Sequence, residues 1–486
     1  MATRDQPRVA QPASDAATPR RYDGVRATVM GLGRRGGGVG VARYLAEAGA
    51  TVTVTDAKPA TALVEPIADL AGLPIEFVLG EHRARDFTAD GADLIVRNPG
   101  VPRDAPMLTL ARRSGLPVEM EMSLFFRACP APIVGVTGTK GKTTVSTLCA
   151  GMLRGWRPET ILAGNMGISA LAQLPHITPR TPVVVELSSW QLEGLAEHRL
   201  APSIAVLTLI AEDHLDTYES FADYAATKRG ITAHQRPGDC LIVNADDPES
   251  WRARTQTEAR VIPFGLHDPG TDGAWAVQRQ LVWRWQGREE RVSVPDLPAM
   301  SGRHNLTNAL AAMAAALMRG ADLASVQHGL RQFAGVRDRM ERVGVVDGVE
   351  FINDTAATAP VAAVAALQSL AGRRVHLLTG GADKRLDLRP VAEAARDHAH
   401  AVYLLDGSAT AMLERLLRDG GIHPFGTFSS MAEAVAAASN AAVAGDVVLL
   451  SPGTASFGMF RDEFERGERF REAVRALTQP HAVRTR

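Results

Sequence analysis

The chain has 486 residues, with 53 Lys and Arg against 54 Asp and Glu, a net charge of -1 and 45% hydrophobic residues. That length predicts about three domains, the ordinary composition excludes wholesale disorder, and the charge balance excludes a global basic surface for nucleic acid or an anionic membrane. Cys129, Cys149 and Cys240 stand in no zinc or C-x-x-C spacing and no apolar run reaches the roughly 18 residues of a membrane span, as expected of a reduced cytoplasmic protein.

Residues 1–23, with Arg4, Arg8, Arg20 and Arg21 among Pro, Ala, Ser and Asp, show no periodicity and are expected to form a disordered leader. The first unit, 24–120, opens with a strand from Arg26 that runs into Gly31-Leu-Gly-Arg-Arg-Gly36, a helix over 39–48 and a strand ending at Asp56. These glycines fit G-x-G-x-x-G, and Asp56 lies 20 residues beyond Gly36. Gly31, Gly33 and Asp56 suit NAD or any ligand with a diphosphate and a ribose, a UDP-linked substrate included. Close packing of helix on strand accounts equally for Gly36 to Gly38.

The strand-loop-helix pattern restarts at 133–137 and opens the central unit, 121–336. Gly138, Thr139, Lys140, Gly141, Lys142, Thr143 and Thr144 lie between strand and helix, where backbone N–H groups point at an anion. Triphosphate is the natural ligand: Lys142 reaches the β- and γ-phosphates and Thr143 the Mg²⁺. Val136 stands where the general G-x-x-x-x-G-K-[ST] pattern has its first glycine. Glu186 ends a strand over 183–187, and Glu212-Asp-His214 follows another over 204–209, so carboxylate and imidazole make a magnesium site beside the nucleotide. Taken singly, His214 is equally a loop histidine. A hairpin over 274–294 and an Ala-rich helix over 308–318 complete this unit.

In the third unit, 337–486, strands near 349–354, 374–380, 401–407 and 446–453 each end in Asp, Gly, Thr or Ser. Asp354, Lys384, Asp406 and Ser451 therefore fall at carboxyl ends of parallel strands, where ligands bind. The fold class is α/β in three domains: a Rossmann-like N-terminal domain, a P-loop-type central ATPase domain and a Rossmann-like C-terminal domain. A small-molecule site is expected in a cleft between domains.

Gly138-Thr-Lys-Gly-Lys-Thr143, Gly164-Asn-Met-Gly167, Glu186-Leu-Ser-Ser-Trp-Gln-Leu-Glu193, Glu212-Asp-His214, Gly302-Arg-His-Asn-Leu-Thr-Asn-Ala-Leu310, Asn353-Asp354 and Leu450-Ser-Pro-Gly-Thr-Ala-Ser456 occur in this order. On these marks the chain resembles the Mur ligases over about residues 24–475. The resemblance implies ATP-dependent addition of D-glutamate, or alternatively L-glutamate, to UDP-N-acetylmuramoyl-L-alanine through an acyl phosphate in peptidoglycan precursor synthesis. It implies small-molecule substrates, ATP and Mg²⁺, a cytoplasmic monomer, and no nucleic-acid partner or membrane span. Lys142 and Thr143 go to ATP and Mg²⁺, and Glu186 and His214 to metal. Lys228 matches the lysine carbamylated by CO₂ to hold a second Mg²⁺. Gly31, Gly33, Asp56 and Asn165 go to the UDP substrate, and Asn308, Arg339 and Asp354 to adenine, phosphate and ribose of ATP. Thr358, Lys384, Ser451 and Phe457 go to the glutamate pocket, with a hinge near 335–340.

Two departures touch the C-terminal part of the site: the family carries lysine where Ala356 stands and histidine where Asp338 stands. The Arg-Arg-Gly-Gly-Gly stretch at 34–38 is also unusual. A dinucleotide-dependent oxidoreductase, the rival reading of the Gly31 motif, leaves the 138–144 loop without purpose. A non-catalytic nucleotide-binding scaffold would be indifferent to loss of Lys228.

Overall fold

Short Val- and Ile-rich runs stopped by glycine or a polar residue become parallel strands throughout the chain. The computed structural model describes residues 22–33, 37–165, 169–212, 218–295, 303–333, 335–384 and 386–478. It divides into two compact units, Met1–Phe333 and Ala334–Arg486.

The first unit holds two sheets. β1 (Arg26–Met30), β2 (Thr51–Asp56), β3 (Ile75–Leu79), β4 (Leu94–Arg97) and β5 (Val118–Glu119) run parallel in the order β3-β2-β1-β4-β5. The second sheet comprises β6 (Ile133–Thr137), β7 (Ile161–Gly164), β8 (Val183–Glu186), β9 (Ile204–Leu207), β10 (Cys240–Asn244), β11 (Arg260–Gly265), β12 (Gly273–Val277), β13 (Gln280–Trp285) and β14 (Arg288–Ser293). Its order is β14-β13-β12-β11-β10-β9-β6-β8-β7, with β13 antiparallel to both β12 and β14. β6, β8, β9 and β10 are buried along their whole length, which explains their unbroken apolar sequences: helices cover both faces of the parallel part. The turn between β13 and β14 is Gln286-Gly287, both at positive φ, as a tight hairpin with right-handed twist requires.

The helix Arg303–Arg319 begins five residues before the expected 308 and is buried from Ala309 through Met318. Its alanines let it lie close to the helix Lys142–Trp156. The helix Leu323–Gln332 approaches that same helix so closely that a Cβ on Gly329 would stand 2.6 Å from the Met152 backbone.

In the second unit β15 (Glu341–Val346), β16 (Val349–Asn353), β17 (Val375–Thr379), β18 (Ala399–Leu405), β19 (Gly426–Phe428) and β20 (Val447–Leu450) form a sheet ordered β15-β16-β20-β17-β18-β19. β15 pairs antiparallel with β16 and the other pairings are parallel. Two apolar cores, one on Leu377, Val391, Leu413 and Leu449 and one on Phe351, Val435, Leu450 and Phe470, fill the unit.

Candidate active site

β6 lies between β8 and β9 in its sheet, so the loop leaving its carboxyl end sits where the strand order reverses, the usual ligand position in an open parallel sheet. Gly138 at φ 146 and Gly141 at φ 89 adopt conformations that side chains rarely tolerate. A Cβ on Gly138 would stand 2.0 Å from Thr208 Oγ1, and one on Gly141 2.5 Å from Asn308 Oδ1. The loop is strapped to the end of β9: Thr139 N–H donates to Leu209 O at 2.5 Å and Thr208 Oγ1 to Lys140 O at 2.7 Å. Lys142 Nζ donates to the carbonyls of Gly138 (2.9 Å) and Thr139 (3.0 Å), which keeps the ammonium over the loop. Thr143 and Thr144 occupy the first helical turn, half-buried, where unsatisfied N–H groups face outward along the axis. Asn308 reaches this loop from the Ala-rich helix.

Glu186 ends β8 and is 2% exposed. Its Oε1 accepts from Asn165 Nδ2 at 3.3 Å, whereas its buried Oε2 has no hydrogen-bond partner among the described residues. A buried carboxylate oxygen left so is costly, and oxygen of this kind is what a hard divalent cation takes. Lys228 is equally buried: its Nζ donates to Thr137 Oγ1 at 3.3 Å and lies 5.5 Å from the Tyr224 ring centroid. Thr137 Oγ1 in turn donates to Leu187 O at 2.8 Å, so strand ends β6 and β8 and Lys228 converge. Tyr224 and Lys228, four residues apart, share the buried face of the helix Phe221–Arg229; without that pairing the lysine reads as solvated surface. His214, Met166, Gly167 and Gly302 lie outside the described residues. Among the described residues no group of three or more His, Cys, Asp or Glu is spaced to hold a metal, and no helix is long and apolar enough to cross a membrane.

The Ser-Ser-Trp-Gln stretch has a local cause. Ser188 caps the helix Ser189–Glu197, accepting from Gln191 N–H while the Gln191 side chain accepts from Ser188 N–H. This reciprocal cap fixes the chain direction two residues after Glu186.

In the N-terminal sheet the reversal of strand order falls between β1 and β4. Gly31 and Gly33 have positive φ and press on residues after β4, a Cβ on Gly33 standing 2.8 Å from Asn98 Nδ2. Asp56 is buried; its Oδ2 accepts from Leu32 N–H at 3.0 Å and its Oδ1 from Lys58 N–H at 2.9 Å. The carboxylate thus braces the glycine loop itself. Arg34, Arg35 and Gly36 lie outside the described residues. Just beyond them, Gly38 is forced by geometry, because a Cβ there would stand 2.3 Å from Leu32 O. Glu121, which the sequence did not single out, accepts from Ser169 Oγ (2.5 Å) and Ala170 N–H (2.9 Å), and burial pushes its carboxyl upward. It tethers the chain a few residues past Asn165.

In the second unit Asp354 follows β16 and Ser451 follows the neighbouring β20. Ser451 Oγ donates to Asp354 Oδ2 at 2.8 Å and Met340 N–H to Oδ1 at 3.2 Å. Burial outweighs these bonds and the nearby Arg339 charge, and pushes the Asp354 carboxyl up to about 6. Arg339 and Lys384 are exposed, Thr358 is half-buried, Phe457 is 50% exposed, and Asp406 is exposed after β18. Thr358, Lys384 and Phe457 lie on the loops after β16, β17 and β20. Sequence reasoning missed Arg466, fully buried on the helix Glu463–Leu477. Its Nε donates to Thr355 Oγ1 and Nη2 to Thr355 O, both at 3.0 Å, and Nη1 to Thr454 O at 3.4 Å. The guanidinium ties together the loops after β16 and β20, and burial lowers its pKa to about 10. Charges surround it in sequence on every side, so no periodicity marks it.

Comparison with known proteins agrees with this layout. Residues 25–119 match the Mur ligase MurD-like N-terminal domain, 136–316 the Mur ligase middle domain and 338–454 the Mur ligase glutamate ligase domain. A UDP-N-acetylmuramoylalanine–D-glutamate ligase of Roseiflexus sp. (strain RS-1) is 49% identical over 94% of this chain and 99% of its own length. One of Symbiobacterium thermophilum is 39% identical over 93% and 98%. Among solved structures, the UDP-N-acetylmuramate-alanine ligase of Thermotoga maritima has the same fold, with a TM-score of 0.57 at 22% identity, covering 93% of this chain and 99% of that one.

Proposed function

The chain belongs to the Mur ligase family, and from that membership we propose that it joins D-glutamate to UDP-N-acetylmuramoyl-L-alanine with cleavage of ATP. The step belongs to peptidoglycan precursor synthesis, carried out in the cytoplasm by a monomer acting on small molecules. Residues 24–120 take the UDP end through Gly31, Gly33, Asp56 and, from the next domain, Asn165. Residues 121–336 bind ATP through the 138–144 loop and Asn308. Residues 337–486 supply Arg339 and Asp354 to the nucleotide and Thr358, Lys384, Ser451 and Phe457 to glutamate.

The reaction brings two anions together: an oxygen of the substrate carboxylate attacks the γ-phosphorus as the bond to the ADP oxygen breaks. Lys142 and the N–H groups at the start of its helix face the charge that develops there. Thr143, Glu186, His214 and a carbamylated Lys228 would hold Mg²⁺, which offsets the repulsion between the anions. Carbamylation joins the neutral Lys228 amine to CO₂ with loss of a proton, turning a cation into a carboxylate. The glutamate amine then attacks the acyl carbon, phosphate leaves with its electron pair, and the nitrogen loses a proton, giving the amide. Exclusion of water protects the acyl phosphate meanwhile. The observation that carries this reading of the site is the buried Glu186 Oε2, without a hydrogen-bond partner among the described residues, beside the strand that feeds the phosphate loop.

Phosphate release with Mg-ATP and UDP-N-acetylmuramoyl-L-alanine tests the proposal, run with D-glutamate, L-glutamate and no amino acid. Release with D-glutamate alone is expected. Release with L-glutamate alone would reassign the isomer, and silence in all three would overturn the ligase reading.

A further inference from the structure

The segment 335–341, at the start of the second unit, carries unusual strain and buried charge. Asp338 at φ 66 and Met340 at φ 43 are both left-handed without being glycine, and Arg339 stands between them. Such residues persist where their surroundings over-determine them. Asp338 is 4% exposed, and its Oδ1 accepts from Asn353 Nδ2 at 2.9 Å and Arg471 Nη1 at 2.8 Å. Glu341 Oε2 accepts from the same two donors, at 2.9 and 2.7 Å, and from the Asp338 N–H at 2.8 Å. One guanidinium and one amide therefore serve Asp338 and Glu341 together, and Arg471 Nε donates to Glu468 Oε2 as well, at 3.1 Å. The turn is pinned from its backbone as well: Ala356 N–H donates to Asp338 O at 2.9 Å, and Met340 N–H to Asp354 Oδ1 at 3.2 Å. The fit leaves no slack, since a Cβ on Gly467 would stand 2.2 Å from Asp338 Oδ1.

Removing one member of such a buried set strands the others' charge, so the set acts as a unit. What it fixes is the backbone on both sides of Arg339 and the N–H that orients the Asp354 carboxylate. We propose that Asp338, Glu341 and Arg471 are positioning residues, a buried clamp that holds Asp338 and Met340 in their left-handed conformation and thereby presents Arg339 and Asp354 to the nucleotide. The clamp needs an acceptor at 338, because Arg471 and Asn353 both donate to Asp338 Oδ1. This inference rests on the assignment of Arg339 and Asp354 to ATP made above.

The test uses the full chain and measures Mg-ATP affinity by titration calorimetry alongside KM for all three substrates. Arg471→Met is expected to weaken ATP binding by about tenfold, the scale of losing well-placed hydrogen bonds to a charge, with KM for glutamate and for the UDP substrate within about twofold. Arg471→Lys, which keeps the charge, should recover part of the loss. Gly467→Ala should reproduce it by displacing Asp338, and Asp338→Asn, the mildest change, should show it in weaker form if Arg471→Met fails to fold. Equal rises in all three KM values, or a lower melting temperature with unchanged ATP affinity, would overturn the clamp. Asp354→Ala separates the two levels. If it too leaves ATP affinity unchanged, the nucleotide assignment falls and the clamp with it; if it weakens ATP while Arg471→Met does not, the clamp alone falls.

Discussion

Replacing Asp354 by Asn removes a buried negative charge and keeps its shape; the Ser451 hydroxyl, which donates to Oδ2, need only turn to accept from the new amide. In the folded chain this carboxyl sits at about 6, against an ordinary value of 3.8. Between those values the native state binds the proton and the unfolded state does not, so the wild type loses stability as pH rises from about 4 to 6, and the loss is complete above about 7. The whole shift corresponds to about 3 kcal/mol, of which about 1.4 kcal/mol falls between pH 5 and pH 8. Asp354→Asn should therefore gain about 1.4 kcal/mol on the wild type over that interval. Urea unfolding at the two pH values measures it. All six tryptophans precede residue 286, inside the first unit, so their fluorescence follows that unit alone, and the remaining far-UV signal follows the second. His376, whose pKa burial lowers, loses stability in the opposite direction, toward acid, but it is common to both proteins and cancels in the difference. A wild-type-minus-variant difference equal at both pH values to within about 0.3 kcal/mol would refute the argument.

Lys228→Ala should abolish ligation and regain part of it when short carboxylic acids are added, whereas a variant that stays fully active would remove Lys228 from the mechanism. Gly38→Ala places a Cβ against the Leu32 carbonyl, which is backbone and cannot swing aside; KM for the UDP substrate should rise while KM for ATP stays put, and a uniform change in both would point to general unfolding instead. Ser188→Ala breaks the reciprocal cap before the helix that follows Glu186 and should cost about 1 kcal/mol, read as an earlier tryptophan transition in urea. No shift in that transition would mean the cap is replaceable by water.

The strand ends were legible because parallel strands covered on both faces must be apolar throughout, so the first polar residue at or after the end of an apolar run such as 133–137, 183–186 or 447–450 marks a carboxyl end. Glu186, Ser451 and the loop that leads to Lys142 are placed by that rule alone, and Asp354 lies one residue past the Asn353 that ends its strand. The pairing order was not legible: β20, last in sequence, slips between β16 and β17, and only this brings Ser451 to Asp354. Arg466 and Arg471 escaped for a different reason. The helix Glu463–Leu477 alternates charges densely enough to read as a solvated face, and burial of two of its arginines depends on carboxylates and carbonyls far away in sequence. The Ala-rich helix begins earlier than its alanines suggest, since its first turns are polar and include Asn308, whose Oδ1 lies beside Gly141 of the phosphate loop.

The corner formed by Gly38, Gly40, Ser169 and Glu121 sets a limit on redesign. Gly38 abuts the Leu32 carbonyl, and a Cβ on Gly40 would stand 2.0 Å from Ser169 Oγ, itself bonded to Glu121. The start of the helix Gly37–Glu47 is thus wedged between two walls, one from its own domain and one from the central domain's chain. A graft that crosses position 37 would unseat the helix from both walls together, so loop libraries meant to change the ligand should stop at Gly36.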